Sequence, residues 1–418
     1  MTRPLARLPG ASARLFPRQG VTCPYCFASV APQRILFRCR GQAGRRQGCA
    51  PVLDEELAAY TGSTAGASLP PVFIAPGRKG RADCPACGVP TGNRACPECH
   101  NPLPSAYCDS PGRIVALVGA KNAGKSTYIA VLLHELMNRV GTELDASLVA
   151  CDDRTIERYK RDFARPLLEE RRLLPTTASA ATGPREPLVY LLTRTRAGRF
   201  LQGRFARARN DSLALVLFDT AGEDLRSREV TDLHLRYLEA ADAIIFLVDP
   251  LELPGARSGI SDTVPEPRSG DDPDSEPLNI IARVTDALRQ RHGTRPGEPL
   301  PVPVAVALTK IDALRPDLLR QSALRRSPSG AGVLDLDDRD AVNEQVRALL
   351  HDWQAGQLDT YLGQQYADHA LFGLSALGGV PEDGRVGAGG VRPHRAEDPL
   401  LWLLYRFGML DGVRPGGS

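Results

Sequence analysis

The stretch IVALVGAKNAGKS, residues 114–126, decides the fold of this 418-residue chain. Its first five residues form a continuous apolar run, which is typical of a strand buried on both faces of a parallel sheet. Residues 119–126 then match G-x-x-x-x-G-K-S, and the apolar residues of 127–139 recur at helical spacing. A strand, a glycine-rich turn and a helix in this order predict a phosphate-binding loop in an α/β domain.

Each residue type in this loop has a physical reason. The glycines let backbone N–H groups turn inward around phosphate oxygens, Lys125 reaches the β- and γ-phosphates, and Ser126 supplies an oxygen to Mg²⁺. The predicted nucleotide-binding residues are Gly119, Ala120, Lys121, Asn122, Ala123, Gly124, Lys125, Ser126 and Thr127.

A second apolar run, LALVLF at residues 213–218, leads into Asp219-Thr-Ala-Gly222. An aspartate at the carboxyl end of a strand can hold Mg²⁺ through water, and the Gly222 N–H can meet the γ-phosphate. A third run, residues 243–248, ends at Asp249, which is interpreted as a loop residue.

Two further elements predict recognition of the base. Residues 302–308 end in Thr309-Lys-Ile-Asp312, where Lys310 can lie along the base and Asp312 can accept hydrogen bonds from N1–H and the amine that guanine has and adenine lacks. Residues 370–374 precede Ser375-Ala-Leu377, whose backbone N–H groups, at Ser375 or Ala376, would meet guanine O6.

Together these four elements resemble the G1, G3, G4 and G5 motifs of the translation-factor-like (TRAFAC) P-loop GTPases over roughly residues 112–412. The resemblance implies a Ras-like, doubly wound α/β sheet that binds GTP or GDP with Mg²⁺. More narrowly, paired cysteine-rich ribbons before residue 112, an enlarged region before the third motif and a closing helix, Asp398-Pro-Leu-Leu-Trp-Leu-Leu404, make the chain resemble the bacterial double-GTPase family. Members of that family act in conflict or defence systems beside partner proteins, often a second GTPase.

The switch regions carry open assignments. Switch I of this class needs a threonine near Mg²⁺ and the γ-phosphate, and either Thr176 or Thr177 can supply it. Glu223 stands where similar small GTPases place a glutamine that orients water, so unaided hydrolysis should be slow because a carboxylate repels the phosphoryl charge. Positive charge from Arg226, Arg228 or a partner would counter this. The predicted catalytic residues are Lys125, Ser126, Thr177, Asp219, Gly222 and Glu223.

The cysteines predict two structural zinc ribbons before this domain. Residues 84–99 hold two Cys-x-x-Cys pairs (Cys84, Cys87, Cys96 and Cys99), which can complete one tetrahedral site. Cys23, Cys26, Cys39 and Cys49 are the second candidate set, in which His100 or Cys108 can substitute for Cys49. Four thiolates leave no open position on the metal, so the role is structural.

Composition divides the chain in the same place. Residues 1–112 carry 13 Lys+Arg against 6 Asp+Glu, whereas the remainder is mildly acidic. The predicted divisions are a basic tail (1–20), a first ribbon (21–60), a linker (61–82), a second ribbon (83–110), a GTPase domain (111–412) and a tail (413–418). Within the domain, inserts are predicted at 141–178, 254–277 and 378–397, the last two as surface loops without readable chemistry.

The sequence thus predicts a cytoplasmic GTP-binding and GTP-hydrolysing switch, without a membrane span, whose ribbons dock protein partners. Two alternatives stay open. One is a GTP-binding scaffold with little hydrolysis, suggested by Glu223. The other is an RNA- or ribosome-associated GTPase, suggested by the basic residues Arg34, Arg38, Arg40, Arg45 and Arg46, although nucleic acid is the less favoured partner.

Overall fold

A computed structural model describes most of the chain. The described residues are 7–8, 20–42, 48–75, 80–110, 112–175, 186–196, 200–201, 204–205, 209–218, 236–257, 276–295, 297–314, 318, 320–327, 332–387 and 389–415.

A seven-stranded sheet forms the centre of the nucleotide domain (residues 112–415). Its strands are β1 (Gly112–Gly119), β2 (Ala146–Ala150), β3 (Leu188–Arg196), β4 (Arg209–Phe218), β5 (Ala243–Val248), β6 (Val304–Leu308) and β7 (His369–Gly373). They lie in the order β2-β3-β4-β1-β5-β6-β7, and all neighbours are parallel except the pairs β2/β3 and β3/β4. The carboxyl ends of β1, β4, β5, β6 and β7 therefore meet at one edge, where ligands bind in such sheets.

Helices cover both faces of this sheet. They are α1 (Lys125–Met137), α2 (Arg139–Glu143), α3 (Asp153–Arg158), α4 (Pro277–His292), α5 (Leu336–Asp352), α6 (Gly356–Gln365) and α7 (Asp398–Arg406). Alternate strand residues face opposite sides, so one core packs on α1 and α7 and the other on α4, α5 and α6. The Ras-like, doubly wound α/β class is confirmed.

The main differences from the predicted elements fall in the first insert. Edge strand β2 was not predicted, since ASLVA is short and only its Leu148 is buried. Residues 153–174 are charged with apolar residues at helical spacing, which predicts one amphipathic helix, but they form α3 and a π-helix, Tyr159–Glu169, which contains Pro166. Proline has no N–H to donate to the regular i−4 carbonyl, which is consistent with wider winding here.

The amino-terminal part, the cysteine module (residues 20–110), is built from short strands. One four-stranded sheet joins its two halves in the order Pro102–Leu103, Arg94–Ala95, Leu36–Arg38 and Val72–Phe73. The module also contains three antiparallel strand pairs, Val21–Thr22 with Ser29–Val30, Val52–Leu53 with Ser68–Leu69, and Ala82–Asp83 with Pro90–Thr91. The helices Glu55–Thr61 and Ser105–Asp109 complete the module.

The cysteines gather in two groups that cross the predicted sets. The inner cluster contains Cys23, Cys26, Cys96 and Cys99, and the outer cluster contains Cys39, Cys49, Cys84 and Cys87. In each cluster the four sulfurs lie within 4.8 Å of one another. The predicted division into a 23–49 set and an 84–99 set is therefore wrong. A Cys-x-x-Cys turn supplies only two thiolates, and the sheet that joins the module's halves decides which pair completes the shell.

Three turns of the module share one backbone geometry. The N–H groups of Phe27, Gly88 and His100 each donate to the carbonyl of a cysteine four residues earlier. All three adopt left-handed conformations, with φ of 59°, 70° and 50°. That region costs a non-glycine residue roughly 1–2 kcal/mol. Burial of a phenylalanine side chain contributes roughly 1.5–3 kcal/mol. Phe27, which is 4% exposed, is thus stabilised by packing rather than by its backbone.

Candidate nucleotide site

A cavity of about 360 Å³ lies at the carboxyl ends of β1, β6 and β7. It brings together three elements that are far apart in the sequence: the phosphate-binding loop, the segment after β6 and the segment after β7. The predicted residues that line it are Lys121, Asn122, Ala123, Gly124, Lys125, Ser126, Thr127, Thr309, Lys310, Asp312, Ser375 and Ala376.

The phosphate-binding loop has the expected inward conformation. Asn122 and Gly124 both have positive φ (65° and 87°), and α1 begins at Lys125. The Lys125 ammonium is buried and donates to the carbonyl oxygens of Gly119 (2.8 Å) and Ala120 (2.7 Å). These bonds hold a positive charge beside the first turn of a thirteen-residue helix, so the loop concentrates positive potential where phosphates would lie.

Lys310 is held by Asp249, to which the sequence analysis assigned a loop position and no further role. Its ammonium forms an ion pair with Asp249, which is 1% exposed and also accepts a hydrogen bond from the Leu251 N–H (2.9 Å). Lys310 has φ of 53°, directly after Thr309, whose N–H donates to Val248 O (2.9 Å). Asp249 lies in the loop after β5, as interpreted from the sequence, but its ion pair with Lys310 was not predicted. A buried carboxylate at a strand end, next to a predicted base-reading lysine, was the available signal.

The loop after β7 is held by a distant segment. Ser375 exchanges two backbone hydrogen bonds with His394 (2.9 and 2.8 Å), and its hydroxyl accepts from Gly378 N–H (2.8 Å). Because the Ser375 N–H is engaged, Ala376 is the better placed of the two predicted residues to meet guanine O6. Beyond His394, the buried Arg395 binds Asp338 and Asp398 and fixes this segment to α5 and α7.

The insert after this loop forms part of the cavity. In the pocket hairpin (residues 380–386), Glu382 pairs with Arg385 across Asp383 and Gly384, both at positive φ, the two-residue turn that Asp-Gly favours. Its strand pairs with residues 171–173 through Leu173 N–H to Gly384 O and Val386 N–H to Arg171 O, both 2.9 Å. Apolar residues from both strands line the cavity: Leu173, Leu174, Pro175, Val380 and Pro381. The expectation that 378–397 is a surface loop without chemistry is wrong.

Other predicted residues lie outside the described part of the chain. Thr177 and its alternative Thr176, together with Asp219, Gly222, Glu223, Arg226 and Arg228, belong to this group. Two described residues, Pro175 at the cavity and Phe218 at the end of β4, directly precede these segments in the sequence.

The cysteine clusters have the donor set and spacing of structural zinc sites. Backbone N–H groups of Tyr25 and Glu98 donate to the inner sulfurs of Cys23 and Cys96 (3.4 Å each). Burial raises the pKa of Cys23, whereas hydrogen bonds from Cys23 and Cys26 lower the pKa of Cys99. In the outer cluster burial opposes ionisation of Cys39, but N–H groups such as Gly41 lower its pKa to about 7. The thiolate form is thus favoured at Cys99 and Cys39 and disfavoured at Cys23.

Two arginines of the basic cluster are already paired. Arg38 is buried, and it binds Asp54 at 2.7 Å and the carbonyl oxygens of Pro70 and His100. Arg34 pairs with Glu98 (3.4 Å) at the surface. Arg38 therefore supports the fold of the module instead of presenting its charge to phosphates.

The comparisons with known proteins agree with this geometry. A family model described as Double-GTPase 2 matches residues 113–353, more than half of the chain. The chain belongs to the Double-GTPase 2 family. Membership makes it a GTP-binding protein with a P-loop, and the two four-cysteine clusters fit zinc ribbons in front of that domain.

A relative of this Double-GTPase 2 protein extends over nearly its whole length. A Mycolicibacterium smegmatis protein, provisionally named as the ESX-1 scaffolding and assembly protein SaeC, is 30% identical over 421 residues, covering 93% of this chain and 99% of the relative. Among the residues that the structure describes, no helix is both long and apolar enough to cross a bilayer.

Solved GTPase structures also match, at low overall similarity. The Arl6 (BBS3) small GTPase of Trypanosoma brucei is 15% identical with a TM-score of 0.26, covering 70% of this chain and 95% of that one. The signal recognition particle receptor complex of Chaetomium thermophilum is 17% identical with a TM-score of 0.24, covering 64% and 95% respectively.

Proposed function

We propose that this protein is a Mg²⁺-dependent molecular switch that binds and hydrolyses GTP and reports its nucleotide state to a protein partner. The observation that carries the proposal is the convergence of Lys125, Asp312 and Ala376, with the elements that bear them, on one cavity. A phosphate-binding loop alone accepts any nucleoside triphosphate, whereas Asp312 beside it favours guanine.

Each residue has a stated task in this proposal. The loop N–H groups and Lys125 bind the β- and γ-phosphates, while Lys310, held by Asp249, lies along the base. Asp312 accepts from the base, and the Ala376 N–H donates to O6. Apolar side chains of the pocket hairpin and residues 173–175 exclude water from the base.

The remaining chemistry is assigned to residues that sequence alone supports. Bound Mg²⁺ would neutralise phosphate charge, with Ser126, Asp219 and a switch I threonine, Thr176 or Thr177, as its ligands. The Gly222 N–H would meet the γ-phosphate and Glu223 would orient water. Hydrolysis is expected to be slow without a cation from Arg226, Arg228 or a partner, because Glu223 carries negative charge.

The metal sites complete the proposal. Two zinc ions would be held by the inner and outer clusters, with a structural role, since four thiolates leave no position for water. The predicted ribbons 21–60 and 83–110 with a linker 61–82 are replaced by one cysteine module, because the linker supplies the strands Ser68–Leu69 and Val72–Phe73 to it, while the start of the GTPase domain at residue 111 remains part of this proposal. We further propose a cytoplasmic location, because the substrate GTP is available there.

A second candidate is a GTP-binding scaffold with little hydrolysis. The name of the SaeC relative, which describes scaffolding and assembly of ESX-1, favours it. A role in a conflict system beside a second GTPase is the alternative that the family resemblance suggests. RNA binding is less favoured, since Arg38 is engaged within the module. Single-turnover hydrolysis with and without a candidate partner separates the switch from the scaffold.

Substitution of Asp312 by asparagine tests the guanine assignment. The asparagine amide places a donor opposite the guanine N1–H and amine, which are also donors, so GDP affinity should fall about a hundredfold or more. Xanthosine diphosphate has a carbonyl in place of the guanine amine, so it should bind better to this variant than to the unmodified protein. Fluorescence competition with both nucleotides measures the exchange. The matched control is Asp286→Asn, an exposed aspartate on α4.

Equal GDP affinity in the Asp312→Asn and Asp286→Asn proteins would reject the base assignment. Equal affinity of the unmodified protein for GDP and ADP would reject the whole proposal.

A further inference from the structure

Phe27 of the cysteine module packs inside the nucleotide domain. Its ring contacts Phe218 edge-on, with centroids 5.6 Å apart at 86°, and Tyr237, with centroids 5.3 Å apart. Phe218 and Tyr237 also contact each other (5.1 Å). One core of the domain therefore includes a residue from a metal-binding turn.

The three rings form an aromatic triad (Phe27, Phe218 and Tyr237). Two of its members, Phe218 and Tyr237, flank residues 219–235 in the sequence. Phe218 directly precedes Asp219, and Tyr237 follows residue 235 in a short helical segment, residues 236–239. The Tyr237 hydroxyl accepts from Leu117 N–H (3.0 Å) and lies 3.3 Å from Phe218 O. The end of β4, the neighbouring β1 and the chain after residue 235 thus share one packing unit.

The backbone of Phe27 gives an independent argument. The equivalent position in the Cys84–Cys87 turn is Gly88, the residue that the left-handed conformation favours. Phe27 and His100 adopt the same conformation with bulky side chains, which is uncommon; the His100 ring is held by Asp54 (2.8 Å), whereas the Phe27 ring is held by the triad. The turn itself gains nothing from the ring, whereas the triad depends on it.

Further contacts fix the turn on the domain. The Tyr25 hydroxyl donates to Asp152 Oδ2 (2.9 Å), and the Arg154 guanidinium lies 4.6 Å above the Tyr25 ring. Asp152 also caps α3 through Thr155 N–H (2.7 Å). On the other side, the Tyr107 hydroxyl donates to Thr22 O (2.6 Å) while its ring packs in the same core as Phe27. The Cys23–Cys26 turn is therefore held by Asp152 and Arg154 of the nucleotide domain on one side and by Tyr107 of its own module on the other.

We propose that Phe27 is a positioning residue that couples metal occupancy of the inner cluster to the Mg²⁺ end of the nucleotide site. The inference rests on the proposed function. Ligation of Cys23 and Cys26 fixes the turn, the turn fixes Phe27, and Phe27 fixes Phe218 next to the predicted Mg²⁺ ligand Asp219. The zinc ribbon is thereby an internal part of the GTPase as well as a surface for partners.

The test is Phe27→Gly in the full chain. Glycine adopts the left-handed turn, so zinc content should stay at the unmodified level and preference for GDP over xanthosine diphosphate should be unchanged. The Mg²⁺-dependent gain in affinity for a non-hydrolysable GTP analogue should fall about tenfold, which corresponds to about 1.4 kcal/mol. Phe27→Leu, which keeps apolar volume, should recover part of the gain.

Phe73→Leu is the matched control, because Phe73 stacks on Phe37 within the module (6.1 Å) and lies outside the triad. It should leave the Mg²⁺-dependent gain unchanged. If Phe27→Gly does not fold, Phe27→Leu against Phe73→Leu gives the same comparison.

An unchanged Mg²⁺ gain in folded, zinc-containing Phe27→Gly would overturn the inference. An equal loss of affinity with and without Mg²⁺ would also overturn it, since that is what general destabilisation produces. Absence of a Mg²⁺ effect in the unmodified protein would instead reject the proposed function.

Discussion

The two cysteine clusters have the same ligands and different surroundings. All four inner cysteines are buried, whereas Cys49 and Cys87 of the outer cluster are partly exposed. The contacts to the nucleotide domain described above come from Tyr25 and Phe27, which lie beside the inner cysteine Cys26 in the sequence, and Tyr107 packs in the same core as Phe27. Outer-half residues such as Val52, Leu53 and Ile74 are instead exposed. Identical four-cysteine donor sets therefore lie at an internal interface in one case and partly at the surface in the other.

The largest effect is expected from Cys96→Ser in the inner cluster. Zinc content should fall from two to one, and loss of Phe27 packing should lower the free energy of unfolding of the nucleotide domain by roughly 3–5 kcal/mol, the range for losing a buried phenylalanine. Both tryptophans of the chain, Trp353 and Trp402, lie in that domain, so tryptophan fluorescence during denaturation reports on it.

Cys108→Ser is the matched control for Cys96→Ser, because Cys108 belongs to neither cluster. It should retain two zinc ions and near-normal stability. Loss of zinc in this control would revive Cys108 as a ligand, and unchanged domain stability in Cys96→Ser would contradict the difference between the clusters.

A smaller effect on the stability of the nucleotide domain is expected from substitution of Asp54, which connects the two clusters. Asp54 accepts from Arg38 (2.7 Å), next to outer Cys39, and lies 2.8 Å from His100 Nδ1, next to inner Cys99. Asp54→Ala leaves the buried Arg38 unpaired, at a cost to the module of roughly 3–5 kcal/mol. The nucleotide domain should lose less than in Cys96→Ser, since zinc can still hold the turn that carries Phe27.

The rate of zinc release to a chelator, followed with a metal-sensitive dye, measures this effect. We expect zinc to leave both clusters faster in Asp54→Ala than in the unmodified protein. Asp83→Ala, at an exposed position next to Cys84, is the matched control. Similar release rates in the two proteins would show that Asp54 does not join the clusters.

The smallest effect on the nucleotide domain is expected from Cys87→Ser in the outer cluster. Zinc should again fall to one, but Phe27 stays packed, so the free energy of unfolding of the domain should change by no more than about 0.5 kcal/mol, as for surface substitutions. Tryptophan-monitored denaturation and zinc analysis of the same sample check this. A loss as large as in Cys96→Ser would make the clusters equivalent.

The nucleotide domain was predictable because its signals are local. The apolar runs 114–118 and 213–218 lie within β1 and β4, and the run 243–248 coincides with β5. The motifs that follow these runs fix a P-loop domain without long-range information, and both the fold class and the family resemblance are confirmed.

The cysteine pairing was not predictable in this way. The pairs Cys84–Cys87 and Cys96–Cys99 follow each other in the sequence. However, the strand Leu36–Arg38 pairs with Arg94–Ala95, and this pairing brings Cys96 and Cys99 to Cys23 and Cys26. Such strands of two or three residues leave almost no periodic signal. The ion pair of Lys310 with Asp249 and the place of the pocket hairpin also depend on tertiary structure, although Asp383-Gly384 is a local turn signal.

The nesting of the clusters imposes an order of assembly. The outer cysteines all lie between Cys26 and Cys96, which are separated by about 70 residues. If the outer cluster closes first, the chain path between Cys26 and Cys96 shortens to about 22 residues. The entropy cost of closing the inner cluster then falls by about 1 kcal/mol. Synthesis from the amino terminus acts in the same direction. The outer ligands are complete at Cys87 and the inner ligands at Cys99, before the loop that ends at Ser126 is made. The cysteine module can therefore be finished before the nucleotide domain begins to fold, and its Phe27 is then already in place for packing against Phe218 at the end of β4.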